Sequence, residues 1–128
     1  MRELEHQEQV SLFNWSKYHE EKFPVLKMLF AIPNGGHRHI SVAKKMKAEG
    51  VKAGVPDIFL ATPNQDSSGL FIEMKIKPNR PTDNQQRWLT ALEREGYKTA
   101  VCYSDQAARE VIVEYLGLPV EIVGRHKF

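Results

Sequence analysis

The chain has 128 residues, 41% apolar and 27% charged, which suits one domain with a core of its own. No apolar run approaches the ~18 residues that span a bilayer, and the polar, acidic start MRELEHQEQ does not read as a secretory signal. The lone Cys102 excludes an internal disulfide framework and a multi-cysteine zinc site, so a cytoplasmic protein is expected.

The net charge of +2 is too small to argue for nucleic acid by itself, but it is unevenly distributed. Residues 1–21 hold Glu3, Glu5, Glu8, Glu20 and Glu21 against Arg2 and Lys17. Residues 34–56 hold Arg38, Lys44, Lys45, Lys47 and Lys52 against Glu49, with His37 and His39 beside them. Such a charge run is commonly a solvated helix face. Beside a carboxylate cluster it also suits a polyanion.

In chain order, residues 3–22 read as a helix with an apolar side of Leu4, Leu12, Phe13 and Trp15, ended by Pro24. Residues 26–32 read as a strand stopped by Pro33-Asn34-Gly35-Gly36. Ser41 is placed to cap a short basic helix over 42–49, closed by Gly50. Residues 58–61 and 70–76 read as strands of a hairpin around a polar loop. Thr82 caps a helix over 83–95, closed by Gly96. Residues 99–103 form a strand, and Ser104 caps a helix over 105–116, ending at Gly117. In the tail, 120–123 reads as a short edge strand and Arg125-His126-Lys127 as frayed. The order predicts an α/β domain with one mixed central sheet and helices on its faces. It runs as a single unit over 1–128, with its core over about 5–116 and a tail over 117–128.

Chemistry concentrates in Gly54-Val55-Pro56-Asp57, followed by an apolar strand, and in Glu73-Met74-Lys75 inside another. Side chains alternate along a strand, so Glu73 and Lys75 share a face. Across a hairpin Asp57 approaches Glu73. Two carboxylates near a main-chain carbonyl make an oxygen-rich site suited to Mg2+ or Mn2+. A lysine beside them can orient or help deprotonate a water and offset charge on a phosphate. Glu-x-Lys alone is usually an exposed strand face, and Gly-x-Pro-Asp usually a turn. Set within apolar runs, these charges need a reason, because unpaired buried charge is costly.

Pro-Asp followed by Glu-x-Lys resembles the signature of the PD-(D/E)XK nucleases, whose fold is restriction-endonuclease-like. More narrowly, the chain resembles a stand-alone VRR-NUC domain of phage or bacterial type. The likeness spans Glu5 to about Leu116. It includes Ile32-Pro33-Asn34-Gly35-Gly36, Lys52-Ala53-Gly54-Val55-Pro56-Asp57, Glu73-Met74-Lys75, and Gln85 three residues before Trp88. The resemblance implies that Asp57 and Glu73 are metal ligands, joined by the Met74 main-chain carbonyl, and that Lys75 positions the attacking water. It implies a catalytic Gln85 and a glutamate on the first helix, Glu5 by preference and Glu8 as the alternative. Gln85 also completes a capping box with Thr82, so both roles require one shared side chain. Asn34, His37, Arg38, Lys44, Lys45 and Lys52 are the candidate DNA contacts.

The expected activity is a Mg2+- or Mn2+-dependent DNA endonuclease in the cytoplasm of a bacterial or phage-infected cell. Single-domain members of the family imply a homodimer acting on branched DNA such as a Holliday junction, and apolar Leu118, Val120, Ile122 and Val123 in the tail could cover a partner. The rivals are a binding module that has lost turnover and a nuclease of ordinary duplex. No separate sequence-reading domain is seen, which ranks the latter lower. Trp15 and Trp88 read as core, Cys102 as buried and inert. The histidines show no metal-ligand spacing with cysteine.

Overall fold

The computed structural model describes residues 2–33 and 39–128. Helix α1 runs Arg2–His19, and strand β1 is Leu29–Ala31. Helix α2 is Ile40–Ala48, followed by strands β2 (Ile58–Leu60) and β3 (Leu70–Met74). Helix α3 is Asp83–Arg94, strand β4 Lys98–Cys102 and helix α4 Asp105–Leu116. The sheet order is β1-β2-β3-β4. The first two pairings are antiparallel and β3–β4 is parallel, with α3 as the crossover that a parallel pair requires. This is the expected mixed α/β architecture.

Every residue of β3 is buried, as befits a central strand covered on both faces. Leu70, Ile72 and Met74 join Ile58, Leu60 and Cys102 in a core closed by Leu12 and Trp15 of α1 and Ala108 and Ile112 of α4. Phe71 and Glu73 alternate onto the other face, where Phe59 stacks on Phe71 with ring centroids 4.3 Å apart. Capping explains the sharp helix limits. Ser104 accepts from Ala107 N–H at 3.0 Å, and Gly117 takes the left-handed φ of 67° that ends α4.

Three expectations are corrected. Residues 26–32 do not form one strand: Pro24–Met28 is a 3-10 helix and only Leu29–Ala31 pairs with β2. Pro24 presets the helical φ of its first turn, which an apolar run does not disclose. Helix α2 starts before Ser41, and its cap is the His39 ring, which accepts from Ser41 N–H.

The tail is neither an edge strand nor frayed. Val120–Val123 is a 3-10 helix, and Val123 is buried in the chain's own core with Ile122 and Leu118 packed against it. The apolar tail therefore packs on this chain's own helices, leaving Val120, at 70% exposure, and the terminal Phe128 as its exposed large apolar residues. Trp15 Nε1 donates to Ile122 O at 2.6 Å. Buried Arg109 donates to Val123 O at 2.9 Å and His126 O at 2.8 Å and pairs with Asp105. Lys127 pairs with Glu8 and, at 2.9 Å, with Asp105. No described helix is long and apolar enough to cross a membrane.

Candidate active site

Asp57 ends the loop that enters β2. Its main chain is fixed by Ile32 N–H donating to Asp57 O at 2.7 Å. Its carboxylate Oδ2 accepts from Met74 N–H at 2.8 Å. Because β2 and β3 are antiparallel, the start of one and the end of the other lie at the same end of the sheet. That register brings Asp57 to Glu73.

Glu73 is 2% exposed. Its Oε2 accepts from Gln85 Nε2 at 3.2 Å and lies 4.0 Å from Lys75 Nζ, while its Oε1 is buried without a hydrogen-bond partner. Burial raises its pKa from 4.5 to about 9, helped by the charge of Asp57 and the hydrogen bond between the two acids, with Lys75 opposing. Lys75 follows the last residue of β3 and is tied by its N–H to Cys102 O at 3.0 Å. The structure thus brings Asp57, Glu73, Lys75 and Gln85 together, with the Met74 main chain between the acids.

The two α1 acids separate. Glu8 accepts from Asp105 N–H at 2.9 Å and pairs with Lys127, so it is committed to α4 and the tail. Glu5, one turn earlier and half-buried, acts on Glu73 as a like charge. Among the described residues no three His, Cys, Asp or Glu side chains cluster as a metal site. The two acids could supply two ligands to an ion, with any others from main-chain carbonyl or solvent. The orphaned Oε1 and the paired carboxylates fit a hard cation.

Gln85 meets two demands with one side chain. Its Oε1 accepts from Thr82 N–H at 2.9 Å as the capping box requires, while its Nε2 reaches Glu73. Trp88, expected in the core, is only half-buried, and its Nε1 donates to Ala53 O at 3.2 Å. Asn84, which sequence reasoning missed, donates to the same carbonyl at 2.9 Å. Asn84 and Trp88 are four apart and share a helix face, which was the available signal. Gly54 passes beneath them at φ +90°.

Lys44, Lys45 and Lys52 are exposed, the first two on α2, which buries no residue. Asn34, His37 and Arg38 lie outside the described residues. Cys102 is buried, which pushes its thiol up to about 11.

A family model for the VRR-NUC domain matches residues 1–106. A solved structure named "VRR_NUC domain protein" superposes with a TM-score of 0.71 at 25% sequence identity, over 88% of this chain and 89% of that one. No curated protein matches the chain.

Proposed function

This chain belongs to the VRR-NUC domain family and is a nuclease-type hydrolase of DNA, and from that premise we propose an endonuclease dependent on Mg2+ or Mn2+. Its reacting centre is Asp57, Glu73, Lys75 and Gln85, with Glu5 at the edge. One observation carries the reading: buried Glu73 keeps Oε1 without a hydrogen-bond partner while the Asp57 carboxylate lies close enough to act on it as a like charge. Two carboxylates so placed need a proton or a cation between them.

Asp57, Glu73 and the Met74 carbonyl would hold the ion, with Glu5 near. Bound there, a divalent cation supplies Lewis acidity to a phosphoryl oxygen and to the attacking water. The other roles belong to side chains. Lys75, only 11% exposed, directs its N–H donors toward the water and offsets charge gathering on the phosphate. Gln85 holds the Glu73 carboxylate in one orientation. Exposed Lys44, Lys45 and Lys52 attract backbone phosphates, with Asn34, His37 and Arg38 as further contacts.

The natural substrate in this reading is branched DNA such as a four-way junction, cut by a homodimer in the cytoplasm of a bacterial or phage-infected cell. One chain offers one centre, two cuts need two, and two-fold symmetry supplies them. The test is cleavage of a labelled four-way junction and a matched linear duplex with Mg2+, Mn2+ or chelator, alongside light scattering. Ion-dependent cutting that disappears in Glu73→Ala supports the reading. DNA binding without any cutting establishes a binding module instead. A monomer that cuts both substrates equally removes the dimer and the junction preference and leaves the nuclease.

A further inference from the structure

Thr82 and Glu73 lie on different elements and never touch, yet one amide joins them. Thr82 N–H donates to Gln85 Oε1 at 2.9 Å, and Gln85 Nε2 donates to Glu73 Oε2 at 3.2 Å. We infer that the backbone N–H of Thr82 is a positioning group for the centre, setting which end of the Gln85 amide faces Glu73. The inference rests on the nuclease reading above, because it concerns how Glu73 is presented there.

The argument follows from donor and acceptor inventory. A backbone N–H can only donate, so the amide atom it meets must be the oxygen. The same planar amide then has only its NH2 left for Glu73. Released from Thr82, the terminal torsion of glutamine is broad and roughly two-fold, so the oxygen could turn toward the carboxylate and set lone pair against lone pair. The box is closed from the other side too, since Thr82 Oγ1 accepts from Gln85 N–H at 3.2 Å. With NH2 on Oε2, the carboxylate is held with Oε1 clear of protein donors. A helix cap whose usual effect is local stability thereby also orients a buried acid.

Thr82 has φ −66° and ψ 167°, a conformation proline adopts, so the N–H can be deleted while that residue keeps its own φ and ψ. Thr82→Ala removes the hydroxyl and keeps the N–H. Thr82→Pro removes both. A merely structural cap loses helix stability in both variants, more in Thr82→Pro, but leaves Mn2+ affinity the same in the two folded variants. The inference expects Mn2+ affinity by calorimetry to fall about tenfold further in Thr82→Pro than in Thr82→Ala, the scale of one hydrogen bond to a charged group. It expects kcat to fall by a similar additional factor while KM moves little. In the metal-free protein, the Gln85 side-chain NH2 resonances should match wild type in Thr82→Ala and move toward the solvent-exposed position in Thr82→Pro.

Equal Mn2+ affinity in the two variants, with an unmoved Gln85 resonance in Thr82→Pro, overturns the inference. A wild-type chain that binds no Mn2+ and cuts no DNA defeats the nuclease reading, while the resonance comparison still decides this one. If Thr82→Pro does not fold, Gln85→Glu replaces it. Glutamate keeps the capping acceptor and sets an oxygen against Glu73. It should preserve the helix signal and lower kcat at least about tenfold, again the value of one charge-assisted hydrogen bond. A wild-type rate in Gln85→Glu overturns the inference.

Discussion

Asp57 Oδ2 accepts a 2.8 Å hydrogen bond from the Met74 backbone N–H, so main-chain register, and not side-chain chance, sets how closely the two acids meet. Asparagine can reproduce that acceptor with its amide oxygen but carries no charge. Asp57→Asn should therefore melt close to wild type and lose cleavage together with Mn2+ binding. Near wild-type cutting by the variant would remove Asp57 from the centre.

Lys75 supplies the positive charge beside Glu73. Lys75→Ala should lower kcat by ~10²–10³, the scale of one preorganised electrostatic group, while Mn2+ still binds. Calorimetry separates the outcomes: loss of metal affinity in step with activity would make the lysine a structural counter-ion.

A cation that binds only the folded chain stabilises it by mass action. Mn2+ at a hundred times its Kd should add about 2.7 kcal/mol, seen as a concentration-dependent rise in Tm. The rise should vanish in Glu73→Ala, and its persistence there would locate the ion elsewhere.

Gly54→Ala should destabilise the chain and displace α3. The added Cβ would stand 2.4 Å from Asn84 Nδ2 and 3.0 Å from Trp88 Cδ1, at a φ of +90°. Left-handed strain of this kind costs about 1–3 kcal/mol. Denaturant melts read the loss, and an unchanged midpoint would show that the loop yields freely.

The tail network predicts a pH window. Burial alone would raise the Asp105 pKa, but hydrogen bonds from Lys127 and Ser11 and the Arg109 charge outweigh it and hold the carboxyl below 3.8. Burial would lower Lys127, but hydrogen bonds to Glu8 and Asp105 outweigh it and raise the amine above 10.5. A depressed acid stabilises the fold above its unfolded value and loses that contribution as pH falls through the folded one. A raised amine stabilises below its unfolded value and loses that contribution as pH rises through the folded one. The stability gap between wild type and Lys127→Ala should be flat across about pH 5–9 and close at both extremes. A gap that ignores pH would make these contacts purely steric.

Local signals were legible in the sequence and distant ones were not. Helix α4 keeps the limits that Ser104 and Gly117 announce, because both act within a turn. Strands β2 and β3 are shorter than their apolar runs but pair as the intervening loop suggested. Residues 26–28 and 120–123 misled because apolar residues without strict alternation fit a buried 3-10 turn as well as a strand. At the site, Pro-Asp and Glu-x-Lys were visible as motifs. Glu5 and Glu8 could not be separated, since what draws Glu8 away is Lys127, 119 positions along the chain. Asn84 looked like any polar residue of a first turn until Ala53 O was found opposite it.

Helix α3 carries Gln85 and is also the crossover between β3 and β4, the only parallel strand pair among the described residues. Parallel pairing is non-local and closes late, after its loop entropy has been overcome. During refolding, β2–β3 hairpin contacts can therefore form before Gln85 has docked on Glu73. Catalytic competence should emerge with the slow, contact-order-limited phase, lagging the recovery of helical circular dichroism rather than tracking it.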